Sequence, residues 1–254
     1  MNTPPRPKTY SLKPTKPVNR WHRTTGVTVA VALIYLLATG VPLQFSDQLD
    51  LAAAFVTNER LLDWYGLEAP RGVTVSGRYS YLDGMLFEDG VYLTAAKRLV
   101  GTVQTEALSL AADTETVWLV ELDGERLIEA TVIGNIERIG MTSNGPVLET
   151  AGTHIVPDAD YANWSTQREA PIDVNWSVVK PANPSQEAAT QRLFLHRMLT
   201  WERVLQDLHS GRFFGVIGIV VIDLATVLLL ILVGTGLVIW WRSRTPGQIR
   251  KFGA

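Results

Sequence analysis

Two apolar runs, 26–45 and 219–241, divide the chain, and its charges sort around them. Residues 1–45 carry six Lys/Arg and no acid; 46–210 carry 12 Lys/Arg against 24 Asp/Glu; four Lys/Arg and no acid follow Trp241. A helix rises about 1.5 Å per residue, so each run can cross ~30 Å of hydrocarbon. Basic flanks stay in the cytoplasm. Both termini are therefore expected inside and the acidic middle outside. In a bacterial cell that is an inner-membrane protein with a periplasmic domain.

The first run is too long for a usual signal-peptide core, and no A-x-A site follows it, so an uncleaved anchor is expected. The second run, taken from Phe213, has 29 residues. As a helix that is about 43 Å, which calls for tilt or for first turns above the membrane. Asp223 lies 18 residues before Trp241. With Trp240, Trp241 and Arg242 at the inner face, it is placed about 27 Å away, near the outer interface. There it is a carboxylate in wet headgroups or paired with a partner helix; the rival reading is a proton or cation ligand.

The absence of cysteine excludes disulfides, thiolate metal sites, iron–sulfur clusters and c-type haem attachment. The acidic middle argues against nucleic acid and against anionic lipid as partners.

The fold class expected is an α+β membrane protein: two transmembrane helices flanking a mainly antiparallel β periplasmic domain, with amphipathic helices near the membrane. The boundaries read as a basic cytoplasmic tail over 1–23, rich in proline, and a first membrane helix over 24–45. A helical juxtamembrane segment covers 46–72, and alternating apolar residues give β structure over 73–164. Asp83-Gly84, Asp89-Gly90, Asp123-Gly124 and Asn144-Gly145 punctuate it, because tight hairpins need positive φ. The hairpins have a propeller-like texture, but a propeller needs at least four blades. A small meander or sandwich is expected instead. An irregular linker (165–185), an amphipathic helix (186–211), a second membrane helix (212–242) and a basic tail (243–254) complete the chain.

No G-x-S-x-G or H-E-x-x-H motif is present. His154 near Asp158 and Asp160 lacks the oxygen ligands of a calcium loop. His196 and His209 are 13 residues apart, which on one helix puts them on nearly opposite faces. His22 precedes the first span and His209 the second, about a membrane thickness apart. One chain then cannot bring both to one iron. A bis-histidine haem b needs a second copy, a partner subunit or methionine. Small residues are candidates for helix packing: Gly211, Gly215 and Gly218, and the pairs Thr39-Gly40 and Thr235-Gly236, which fall at opposite membrane levels.

Arg20 to Gly26 (R-W-H-R-x-x-G), the Leu-Ala-Thr-Gly that closes the first span, Leu208 to Gly215 (L-H-S-G-R-F-F-G) and Gly234 to Arg244 resemble the PepSY-associated transmembrane family of bacterial inner-membrane proteins. Members often have four spans; here there are two. The resemblance implies a link to iron uptake, in some members as haem-containing reductases of ferric siderophores, with His22 and His209 as candidate haem ligands. The function expected is an accessory or interaction protein that presents its acidic domain to other membrane or periplasmic subunits. The alternative is a haem b redox subunit, with haem held between chains in a homo-oligomer. No catalytic residue or protein metal site is expected.

Overall fold

The computed structural model describes residues 16–106, 108–122, 127–167 and 171–244. The tails over 1–15 and 245–254 and the Asp123-Gly124 turn lie outside the described residues. The chain opens with α1 (Lys16–Gln44) and a short α2 (Glu59–Trp64). Three runs of strands follow: β1 (Thr74–Ser76), β2 (Tyr79–Leu82), β3 (Met85–Glu88), β4 (Val91–Ala95); then β5 (Gly101–Gln104), β6 (Leu108–Ala112), β7 (Thr116–Glu121), β8 (Leu127–Val132); then β9 (Ile136–Thr142), β10 (Gly145–Thr150), β11 (Thr153–Pro157), β12 (Trp164–Gln167). The two-residue strands β13 (Asn175–Trp176) and β14 (Lys180–Pro181) lead to α3 (Pro184–Leu195), α4 (Trp201–His209) and α5 (Gly215–Arg244). The chain forms two compact units, one of residues 55–199 and one of 1–54 with 200–254.

In the unit of residues 55–199, each run of four strands is an antiparallel meander. Asp83 and Asp89 take positive φ before glycines and close two-residue turns, as the sequence requires. Thr142 pairs with Gly145, so the β9–β10 turn is Ser143-Asn144, one residue earlier than Asn144-Gly145. Ala151-Gly152 makes another such turn, with φ of 48° and 74°. The middle sheet is buried on both faces. Leu110, Ala112, Val117 and Leu119 join Ile136, Ile139 and Leu148 of the third sheet. Ala111, Trp118 and Val120 point the other way, to Tyr79 and Leu86 of the first. The first sheet's far face packs Phe87 and Leu82 against Phe194 of α3.

The expected antiparallel meander is present three times over; strands of three to seven residues let all three fit, one fewer than a propeller needs. Their first strands converge on one residue. Ser177 donates its backbone N–H to Ile139 of β9 at 2.9 Å. Its Oγ accepts from Thr102 N–H of β5 at 2.8 Å and lies 3.0 Å from Ser76 Oγ of β1. On either side β13 pairs with β9 and β14 with β1. A return segment thus ties the three first strands, where a propeller would place its axis. Gly101 has no room for a side chain there: a Cβ would lie 2.8 Å from Ile139 Cγ2 and Ser177 Cβ.

A polar cluster is buried beside it. Tyr79, 1% exposed, donates its hydroxyl to Ser109 Oγ at 2.7 Å. Arg78 faces the buried Glu88 at 3.2 Å and Asp89 at 2.5 Å. Burial pushes the Tyr79 phenol above its ordinary value of 10. Stability from the neutral phenol is therefore complete below pH 10 and is lost as pH rises beyond it.

In the unit of 1–54 and 200–254, Arg20–Gln44 and Arg212–Trp241 are long and apolar enough to cross a membrane. Where one helix was expected over 186–211, the chain makes α3 and α4 with a break at residues 196–200. The Thr200 hydroxyl accepts from Arg203 N–H at 3.2 Å and caps α4.

Two outcomes are expected. Ser177→Ala removes the shared acceptor and leaves Thr102 N–H unpaired, costing about 1–3 kcal/mol, read as a lower thermal midpoint; Gly101→Ala costs more. Tyr79→Phe flattens the alkaline loss of stability above pH 10, measured by unfolding at stepped pH.

Candidate functional site

The chemistry-bearing residues of the two-helix unit pair at its two ends. The Nδ1 of His22, at the start of α1, is 3.1 Å from Thr235 Oγ1 on α5. The Nδ1 of His209, at the end of α4, is 2.9 Å from Thr39 Oγ1 on α1. Each threonine is followed by a glycine beside the ring, and at Gly40 the ring needs the space. A Cβ on Gly40 would lie 3.0 Å from His209 Cε1, and one on Gly236 would lie 3.7 Å from His22 Cε1. The two Thr-Gly pairs, 196 positions apart, therefore take one histidine each. Tyr35 fixes the second end further by donating its hydroxyl to Leu208 O at 2.6 Å.

These contacts set the histidine tautomers. Thr39 donates its one hydroxyl proton back to Tyr35 O at 3.0 Å, shared with Leu36 O at 3.2 Å. Thr235 does the same to Ile231 O at 2.9 Å and Leu232 O at 3.1 Å. When that proton goes to the helix carbonyl, each oxygen accepts from its histidine, the ring proton sits on Nδ1 and Nε2 keeps its lone pair. A lone pair on Nε2, with Nδ1–H held by an oxygen, is the state in which histidine binds a metal.

The glycines of the second segment serve the connection between α4 and α5. Gly211 ends α4 with φ of 77°, and Gly215 opens α5 with φ of 67° and ψ of −155°. Gly211 and Gly218 touch backbone to backbone: a Cβ on either would lie 2.5 Å or less from the other's carbonyl oxygen. An apolar groove of about 490 Å³ runs beside them, lined by Val29, Ala32, Tyr35, Ile222, Ala225 and others.

Asp223 is exposed on α5. Because His22 is level with Thr235, the start of the first span meets α5 several residues before Trp241. Counted from His22 and not from the tryptophans, Asp223 lies about 18 Å along α5. His196 caps the C-terminus of α3. His154 lies on β11 opposite Gln167, its ring 6.4 Å from that of Trp176. Asp158 accepts from the Asn163 amide at 2.8 Å, which holds its carboxyl below the usual range. Among the described residues no group of three His, Cys, Asp or Glu is placed to hold a metal ion.

The family model for the PepSY-associated TM region matches residues 4–243, both spans and the middle domain together. The chain belongs to that family. No curated protein and no solved structure matches it. Within this PepSY-associated chain the R-W-H-R and L-H-S-G-R motifs supply the two clasped histidines, and the Thr-Gly pairs supply their acceptors. The Thr-Gly signal was present in the sequence; which histidine each pair would receive, across 170 and 213 positions, was not.

Thr39→Val and Thr235→Val keep the shape and remove the acceptor. Each is expected to cost about 0.6–1.7 kcal/mol, the range of hydrogen bonds between membrane helices, seen as a lower unfolding midpoint in detergent. Gly236→Ala is expected to be neutral, whereas Gly40→Leu displaces His209 and costs more than either valine.

Proposed function

We propose that this protein is an inner-membrane haem b redox subunit, with both termini cytoplasmic and the acidic middle domain periplasmic, in which two copies complete the iron sites. The basic flanks of both spans support the orientation. The spent threonine hydroxyls carry the redox reading, since they leave Nε2 of His22 and His209 as lone-pair donors at the two ends of the helix pair. Haem b, when bound, supplies one-electron transfer.

The chain's own residues orient the histidines. Thr39 and Thr235 hold the rings and, by accepting at Nδ1, strengthen Nε2 as a donor. Val29, Ala32, Ile222 and Ala225 line an apolar groove along the helix pair between the two histidine contacts. One chain offers one histidine at each end, about 26 Å apart along α1 from His22 to Thr39, so a haem held by two histidines would need the other from a second copy. Reduction of ferric siderophores for iron uptake is the activity the family resemblance implies. The competing reading is a non-redox accessory subunit whose domain binds another membrane or periplasmic protein; the excess of 12 negative charges over 46–210 favours it.

The test is the absorption spectrum of protein purified in detergent after expression with haem supplied, oxidised and then reduced with dithionite. A shifting Soret band with sharp reduced α and β bands is expected. His209→Ala and His22→Ala should each remove about half of it. A featureless spectrum from folded protein overturns the redox reading in favour of the accessory one.

A further inference from the structure

Asp223 is a carboxylate inside a membrane helix, and no residue of its own unit neutralises it: among the described residues it makes no hydrogen bond or ion pair. Its depth follows from the helix pairing. Thr235 is level with His22, and Asp223 lies 12 residues before Thr235, about 18 Å along α5. From the same level α1 runs 22 residues to Gln44, about 33 Å. Asp223 is therefore near the middle of the paired spans. Its helical neighbours Ile222 and Ala225 turn toward the α1 groove, while Asp223 faces outward.

An outward carboxylate at that depth is costly in lipid unless something covers and pairs with it. The surrounding surface permits close approach: Thr226 and Gly234 are exposed on α5 among Val227 and Leu230. The charge identifies the cover. Neither apolar stretch of this chain, 26–45 or 213–241, contains Lys, Arg or His, so a second copy brings no cation to this level.

We propose that this face of α5 docks a transmembrane helix of another protein that carries a Lys or Arg near the middle of its span, with the Asp223 carboxylate as its ionic anchor. The argument uses the depth and charge of α5 alone and stands apart from haem binding.

The test uses the full chain, dye-labelled at its C-terminus, in phosphatidylcholine vesicles. The probes are two synthetic Leu/Ala transmembrane peptides, one with a single central Lys and one with Leu in its place. Energy transfer should show the Lys peptide associating at least tenfold more tightly than the Leu peptide, and Asp223→Asn should erase the difference. Equal association of both peptides with the unaltered chain overturns the proposal, whatever the folding of the variant. Transfer between copies of the chain that Asp223→Asn abolishes also overturns it, because the second copy is then the occupant.

Discussion

A hydrocarbon interior offers no water, so every polar atom placed there must find its partner within the protein. That constraint organises the helix pair. A threonine in a membrane helix ordinarily returns its proton to the carbonyl one turn back, and both Thr39 and Thr235 do so. With its proton so used, the oxygen is left to accept, and a ring nitrogen that carries a hydrogen is a matching partner. Gly40 lets the His209 ring approach, and α1 meets α5 at one end and α4 at the other, which places one such contact at each end.

The middle domain solves a different problem with similar economy. Three short meanders have no continuous ladder to hold them together. Ser177 supplies a donor and an acceptor at the place where their first strands meet, and β13 and β14 extend the tie to either side. The middle sheet, apolar on both faces, completes the packing.

Much of this was legible in the sequence. Charge asymmetry and apolar length gave the two spans, and the Asp-Gly pairs located turns because few residues tolerate their φ. Strands β5 and β6 fall in the stretch read as β, but GTVQ and LSLAA are small and weakly alternating, as befits a sheet buried on both sides. The break between α3 and α4 was hidden by Met198 and Leu199, which continue the apolar spacing; the cap at Thr200 was the available signal. The propeller-like texture was legible in the hairpin spacing, and so was the meander; that three meanders would pack around one return segment was not, because it depends on Ser177, far along the chain. The two histidine contacts were beyond reach, because they depend on which turns of α1 face α4 and α5.

The central claim is that each histidine is held at Nδ1 so that Nε2 can complete an iron site with a second copy. Native mass spectrometry of the detergent-solubilised protein, released at low collision energy, tests it most directly. The account predicts two chains carrying two haems, falling to one haem when His209 or His22 is replaced by alanine in both chains. A haem-loaded single chain, or a dimer whose haem content is indifferent to both histidines, would contradict it.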